Sequence, residues 1–249
     1  MNAIYKKELR SNLTNVIGII FIAVTLIAFG WNFILLSFRA AVAKVEFAFV
    51  HFLGMKDSYI YIWISNGFPL ITLILTSLLT MKVFPEERHQ KTDMLLYSLP
   101  ISAVKVVLGK YLALVTIFAI PFAEFLFAPV IAGTYGKVNY WLAYGTILGY
   151  FLLGCAVIAI CMFISSLTSN QVVCAVSGIA AVIAIYFLPQ LSGSVGGIFG
   201  KIISSIGLFG RMEDFANGIV DVGTYIYYLS VAAMFVFFTV QSFEKRRWS

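Results

Sequence analysis

The chain has 249 residues, of which 61% are hydrophobic and only 11% charged, and its formal net charge is +6. A soluble domain carries about 45–50% apolar and about 25% charged residues, so this composition excludes a water-soluble globule and predicts an all-α membrane protein. The positive charge does not indicate nucleic-acid binding, because no basic stripe on a polar surface is interleaved with stacking aromatic residues.

Residues 1–13 are predicted to form an amphipathic helix that lies on the membrane rather than across it. Apolar side chains recur at every fourth position, with Ile4 beside them: Met1, Tyr5, Leu9 and Leu13. Lys6, Lys7 and Arg10 take other faces, so we expect these cations among the anionic lipid headgroups of the inner interface. The alternative is an ordinary positively charged flank without special geometry.

Six segments are long and apolar enough to cross the membrane, since a helix that spans about 30 Å of hydrocarbon needs about 20 mainly apolar residues. They are 14–36, 59–83, 104–131, 141–167, 172–188 and 224–243. Together they predict one transmembrane domain over residues 1–249. An even number of spans places both termini on the same side of the membrane.

The positions of Lys and Arg predict which side that is, because these residues concentrate in cytoplasmic loops. If both termini are cytoplasmic, 11 of the 17 Lys and Arg residues lie inside: Lys6, Lys7, Arg10, Lys82, Arg88, Lys91, Lys105, Lys110, Lys245, Arg246 and Arg247. The other six lie outside: Arg39, Lys44, Lys56, Lys137, Lys201 and Arg211. We therefore predict cytoplasmic N- and C-termini.

Residues 84–100, "FPEERHQKTDMLLYSLP", form a densely charged cytoplasmic loop between the second and third predicted spans. Pro85 and Pro100 bound a predicted helix, and Glu86 and Glu87 lie in its first turn, where the helix dipole favours anions. The helix is charged at its start and apolar at its end, which is typical of an element that docks into a groove on a partner. The alternative is a solvated loop whose cations only fix the topology.

The other inner connection, 165–171, is short and uncharged, and we expect it only to turn the chain.

Glu124 is the only acid inside a predicted span, and a charge within the membrane is a candidate for function. It is a possible pathway residue, or it is satisfied by water or a neighbour near the outer end of its span.

Residues 191–223 form a long, apolar, Gly-rich outer segment, which we expect to dip back into the membrane; a plain extracellular loop is the alternative.

No catalytic, metal-binding or cofactor-binding residue is predicted. The "GGIFGKI" stretch is not a phosphate-binding loop, because Val195 replaces the first required Gly and Ile202 replaces the Ser or Thr that would bind magnesium. The three cysteines lie in apolar stretches without a CxxC pair. His51 and His89 fall on opposite predicted sides of the membrane, which excludes a histidine metal centre.

The segment "EERHQKTDMLLYSLPISAVKVVLGKYLA" (86–113) resembles the signature of ABC-2 type transporter permeases. The matching positions are Glu86, Glu87, Arg88, Thr92, Asp93, Leu95, Leu96, Pro100, Gly109 and Lys110. Lys91 departs from the pattern, since many members have Gly there. The C-terminal stretch 215–248 is similar to the end of the same family, especially to the branch of gliding-motility permeases and the permease for nitrous oxide reductase maturation.

The resemblance implies a type V exporter-like permease in a bacterial plasma membrane. It would pair with a second permease copy or homologue and with two cytoplasmic ATPase subunits, and those subunits would bind ATP and magnesium. Residues 1–13 would be the elbow helix, 84–100 the coupling helix and 191–223 a re-entrant hairpin. The residues implied in coupling to the ATPase are Glu86, Glu87, Arg88, Thr92, Asp93, Met94, Leu95 and Leu96.

Three other classes of function compete with this interpretation. An ion-coupled secondary transporter usually needs several buried ionisable groups, and this chain offers one, Glu124. A membrane-embedded enzyme would need a motif such as HExxH or GxSxG, and neither is present. A non-transporting immunity or scaffold protein would have the same composition, and only its partners would distinguish it.

Overall fold

The computed structural model describes residues 2–43, 68–89, 102–135, 140–195, 207–211 and 221–247. The predicted all-α class is confirmed: these residues form helices and contain no strand. The helices, numbered in chain order, are α1 (Asn2–Thr14), α2 (Val16–Ala43), α3 (Phe68–Thr80), α4 (Pro85–His89), α5 (Ala103–Tyr135), α6 (Tyr140–Leu167), α7 (Gln171–Val195) and α8 (Val222–Arg247).

Four of these helices are long and apolar enough to cross a membrane, namely α5, α6, α7 and α8. The count rises to five if α1 and the following Val16–Trp31 are taken together as one span with a 70° bend. Helix α3 is described over 13 residues, and the residues before it, where the predicted span 59–83 begins, lie outside the described part of the chain. The chain is therefore compatible with a multi-pass membrane protein.

Helix α6 is the most buried of the four long helices and forms the centre of the bundle. A row of aromatic rings packs it against α5: the ring centroid of Phe122 lies 5.7 Å from that of Tyr150, and the centroid of Phe118 lies 5.9 Å from that of Phe151. Gly154 of α6 leaves room for Phe118, because a Cβ atom there would lie 2.3 Å from the Phe118 ring. Dense aromatic packing therefore fixes α5 against α6 along the middle of the bundle.

A sharp bend separates α1 from α2, and two residues explain it. The side-chain oxygen of Asn15 accepts a hydrogen bond from the backbone N–H of Ile17 at 3.4 Å, which caps the start of α2, and another from Lys82 Nζ at 3.3 Å. Gly18 lets the carbonyl of Asn12 approach, because a Cβ at Gly18 would lie 1.9 Å from that oxygen. The 70° angle thus depends on an Asn cap and a missing side chain.

Helix α1 packs against α5 through the side that the sequence marks as apolar. Ile4 and Leu9 pack against the core, and the hydroxyls of Tyr5 and Thr116 form a hydrogen bond at 3.0 Å. Lys6 and Lys7 are exposed on the other side of α1. Part of the apolar side of α1 is therefore covered by protein rather than by lipid, while Leu13 stays exposed.

The predicted re-entrant segment 191–223 lies mostly outside the described residues. Helix α7 continues to Val195 rather than ending near residue 188. Within the described residues 207–211, Leu208 and Phe209 are buried. Tyr228 donates a hydrogen bond to the Leu208 carbonyl at 2.8 Å, and Phe209 packs edge-on against Tyr186. These contacts attach this short segment to α7 and α8.

Candidate functional site

Several chain segments converge at one end of the bundle around the side chain of Lys110, and we call this the Lys110 end. Lys110 Nζ lies 3.0 Å from Glu8 Oε1 of α1 and 2.9 Å from Glu87 Oε1 of α4. It also donates a hydrogen bond to the carbonyl of Val83 at 3.0 Å. The Phe84 ring lies beneath the ammonium group, 5.4 Å from Nζ to the ring centroid.

The Lys110 side chain is only 1% exposed, so its charge has been removed from water. Burial of an ammonium group costs several kcal/mol unless partners replace the lost hydration. An ammonium group has three N–H donors, and the three oxygen atoms of Glu8, Glu87 and Val83 match that number. The carboxylates are also largely withdrawn from solvent, at 14% and 15% exposure. We refer to Glu8, Lys110 and Glu87 as the ion triad.

Local sequence explains why Glu87 reaches Lys110. Pro85 begins α4, where its missing N–H costs no hydrogen bond, and Glu87 lies in the first turn with the favourable end of the helix dipole. The backbone continues from α3 into α4 through a hydrogen bond from Glu86 N to Lys82 O at 3.3 Å. Helix α4 is therefore attached directly to α3 and, through the triad, to α1 and α5.

Two arginines bind the carboxyl end of α6 at the same end of the bundle. Arg88 of α4 donates to the carbonyl of Ser166 at 2.6 Å and to that of Thr168. Arg246 of α8 donates to the carbonyl of Leu167 at 2.7 Å. The final carbonyls of a helix lack intrahelical partners and carry partial negative charge, so cationic donors stabilise them. The α6–α7 connection, expected only to turn the chain, is thus joined to α4 and α8.

The structure brings together some of the residues implied in ATPase coupling and does not describe the others. Glu86, Glu87 and Arg88 lie in α4, and the last two make the contacts above. The remaining residues lie outside the described part of the chain: Thr92, Asp93, Met94, Leu95 and Leu96.

Glu124 lies in α5, distant from the Lys110 end by about four turns of helix. It is partly exposed and faces α2 at Gly30, where a Cβ would lie 3.7 Å from Glu124 Oε1. Among the residues that the structure describes, no side chain forms a hydrogen bond or ion pair with Glu124. Its position therefore remains that of a candidate pathway residue, separate from the triad.

The sequence interpretation missed the triad as a site, although two signals pointed to it. Glu8 lies beside Ile4, Tyr5 and Leu9 on the apolar side of α1, where a carboxylate needs a partner. Lys110 interrupts an apolar stretch, where the charge pattern counts it as an inner-side cation and the resemblance includes it in the family signature. Periodicity places each charge on a face, but only the folded chain shows that the two faces meet.

The described residues contain no group of three or more His, Cys, Asp or Glu side chains arranged to hold a metal ion. The three cysteine thiols are free and buried. What the Lys110 end offers is mechanical: one buried cation and two arginines connect helices that are distant in sequence. Comparison with protein-family models and with curated proteins finds no match to this chain.

Proposed function

We propose that this chain is the permease subunit of an ABC-2 type ATP-binding cassette transporter, with six spans and cytoplasmic termini. It would act as an exporter in a bacterial plasma membrane, driven by separate ATPase subunits through residues 86–99. The ion triad is the observation that supports this proposal most strongly. Its buried ion pairs attach α4, the described start of the charged loop, to two other helices.

A force applied to the charged loop has defined routes into the bundle. It passes along the backbone from α4 into α3, and through Glu87 and Lys110 into α5. Glu8 extends the same link to α1. Because a carboxylate that leaves Lys110 gives up a buried ion pair, the link resists separation and transmits displacement.

ATP binding would draw two ATPase subunits together and carry the docked loops with them. A ligand shifts a conformational equilibrium only by its different affinity for the two states, so ATP's preference reaches the membrane only through tight docking. The apolar end of the loop, with Leu95 and Leu96, supplies that docking surface. A second permease copy or homologue would complete the pathway, with Glu124 as its candidate polar residue.

The test is to purify the tagged chain from its native membranes in mild detergent and to identify the proteins that accompany it. We expect an ATP-binding cassette ATPase with the wild-type chain and its loss with Leu95→Asp/Leu96→Asp. Lys6→Gln, which changes an exposed cation on α1, is the matched control and should retain the ATPase. An ATPase that remains bound to the double variant would contradict the assigned docking role. Reproducible absence of any ATPase would instead favour a secondary transporter or a scaffold protein.

A further inference from the structure

The connection between α6 and α7 has three residues and is held at both of its ends. On the α6 side, Arg88 and Arg246 bind successive carbonyls of Ser166, Leu167 and Thr168. On the α7 side, the Asn170 side chain accepts a hydrogen bond from Val172 N at 2.9 Å. Cations bind the last carbonyls of α6, and Asn170 caps the start of α7. Few backbone torsions between the two helices are therefore free to change, so this connection is stiff.

Arg88 spans the gap between this connection and α4. Its guanidinium group donates to two carbonyls at once, as a planar fork of N–H groups can and an ammonium group cannot. Its neighbour Glu87 binds Lys110 of α5. Adjacent residues of one short helix therefore attach it in two directions, to α5 and to the α6–α7 connection.

Helix α7 receives any displacement of that connection directly. Its first turn begins at the Asn170 cap, and its further course packs closely on α3, where a Cβ at Gly178 would lie 3.1 Å from Ser77 Cβ. It is also the least buried of the four long helices. Because less of its surface is buried, α7 can follow its anchor with less disruption of the core than the other three helices.

We propose that Arg88 is a positioning residue, which makes the α6–α7 connection and α7 move together with α4. This inference rests on the proposed function, since it assigns α7 to the part of the bundle that the ATPase moves. The triad transmits force to α1 and α5, and Arg88 adds a separate route to α7. The short, uncharged connection thereby becomes part of the transmission.

The buried thiol of Cys174, in the first turn of α7 and 2% exposed, reports on this link. Purified protein is treated with N-ethylmaleimide, and the labelling rate of each cysteine is followed by peptide mass spectrometry. Arg88→Gln loses both charge-assisted hydrogen bonds, and the loss of even one makes local opening about tenfold more frequent, so Cys174 should be labelled at least about ten times faster. Lys105→Gln, which removes an exposed cation at the same end, should leave the rate unchanged.

Cys155 and Cys161 are also buried, and they serve as internal folding controls. If Arg88→Gln exposes these two cysteines as well, the variant has unfolded. Arg88→Lys, which keeps the positive charge but lacks the planar guanidinium group, then decides whether Arg88 holds the connection. A Cys174 rate equal to wild type in both Arg88 variants would overturn the inference.

A distance measurement in the complex with its ATPase tests the joint motion. Spin labels are attached at His89→Cys and Ser169→Cys, which are both exposed positions. The distance between the two labels should stay the same when a non-hydrolysable ATP analogue is added. In Arg88→Lys the same distance should change on nucleotide addition. A change in the wild-type background would refute joint motion. If nucleotide changes the distance between the labels in neither protein, the proposed function is contradicted. The labelling rate of Cys174 would still decide whether Arg88 holds the connection.

Discussion

Replacement of Lys110 by Met is expected to destabilise the protein by about 3–5 kcal/mol, the usual cost of removing one partner from a buried ion pair. We expect a cost near the upper end of this range, because the Lys110 ammonium group contacts three oxygen acceptors. Met fills a similar volume but donates no hydrogen bond. Glu8 and Glu87, at 14% and 15% exposure, would both lose the ammonium group that they contact.

Thermal unfolding with a thiol-reactive fluorescent dye measures the effect, since all three cysteines are buried in the folded protein. For chains of this size, 1 kcal/mol corresponds to about 2–4 °C in Tm, so Lys110→Met should lower Tm by about 10–20 °C. The matched control is Lys105→Met, which changes an exposed lysine of the same helix and should leave Tm nearly unchanged.

A compensating variant tests the cause of the loss. Lys110→Met combined with Glu8→Gln and Glu87→Gln removes all three charges, and replacement of a complete buried ion group is often neutral. We expect this triple variant to recover most of the lost stability. A Tm for Lys110→Met within about 2 °C of the Lys105→Met control, on the conversion above, would refute the electrostatic reasoning. So would a triple variant no more stable than the single one.

Three further substitutions follow from the packing, and each is checked in the same unfolding assay. Gly18→Ala places a methyl group against the Asn12 carbonyl and should cost about 1–3 kcal/mol; an unchanged Tm would mean that the bend does not need a glycine. Gly154→Ala forces the Phe118 ring away and should cost a similar amount, about 1–3 kcal/mol; a stabilised protein would contradict the packing of α5 on α6. Glu124→Gln should leave Tm unchanged, because no described cation contacts that carboxylate, and a fall of several degrees would show a partner there.

The helices that cross the bundle could be predicted from the sequence because their signal is continuous. The segments 104–131 and 141–167 coincide closely with α5 and α6. A helix of twenty or more mainly apolar residues is not stable in water by itself, and this condition involves no other part of the chain. Composition alone therefore determined the class of the protein.

The contacts at the Lys110 end could not be predicted in the same way. Glu8 and Lys110 are 102 residues apart, and Arg88 binds backbone carbonyls, which carry no side-chain signal. The amphipathic pattern of α1 marks one apolar side, but it could not distinguish lipid from the surface of α5. The sequence shows which face of a helix is apolar, but only the folded structure shows whether lipid or protein covers that face.

The central claim is that the charged loop beginning at α4 faces the cytoplasm, where an ATPase can move it. His89 is exposed at the end of α4, so His89→Cys provides an accessible thiol, and the native cysteines are buried. A membrane-impermeant maleimide should leave this cysteine unmodified in intact cells and modify it fully in inverted membrane vesicles. Labelling in intact cells would place the loop outside and contradict the account.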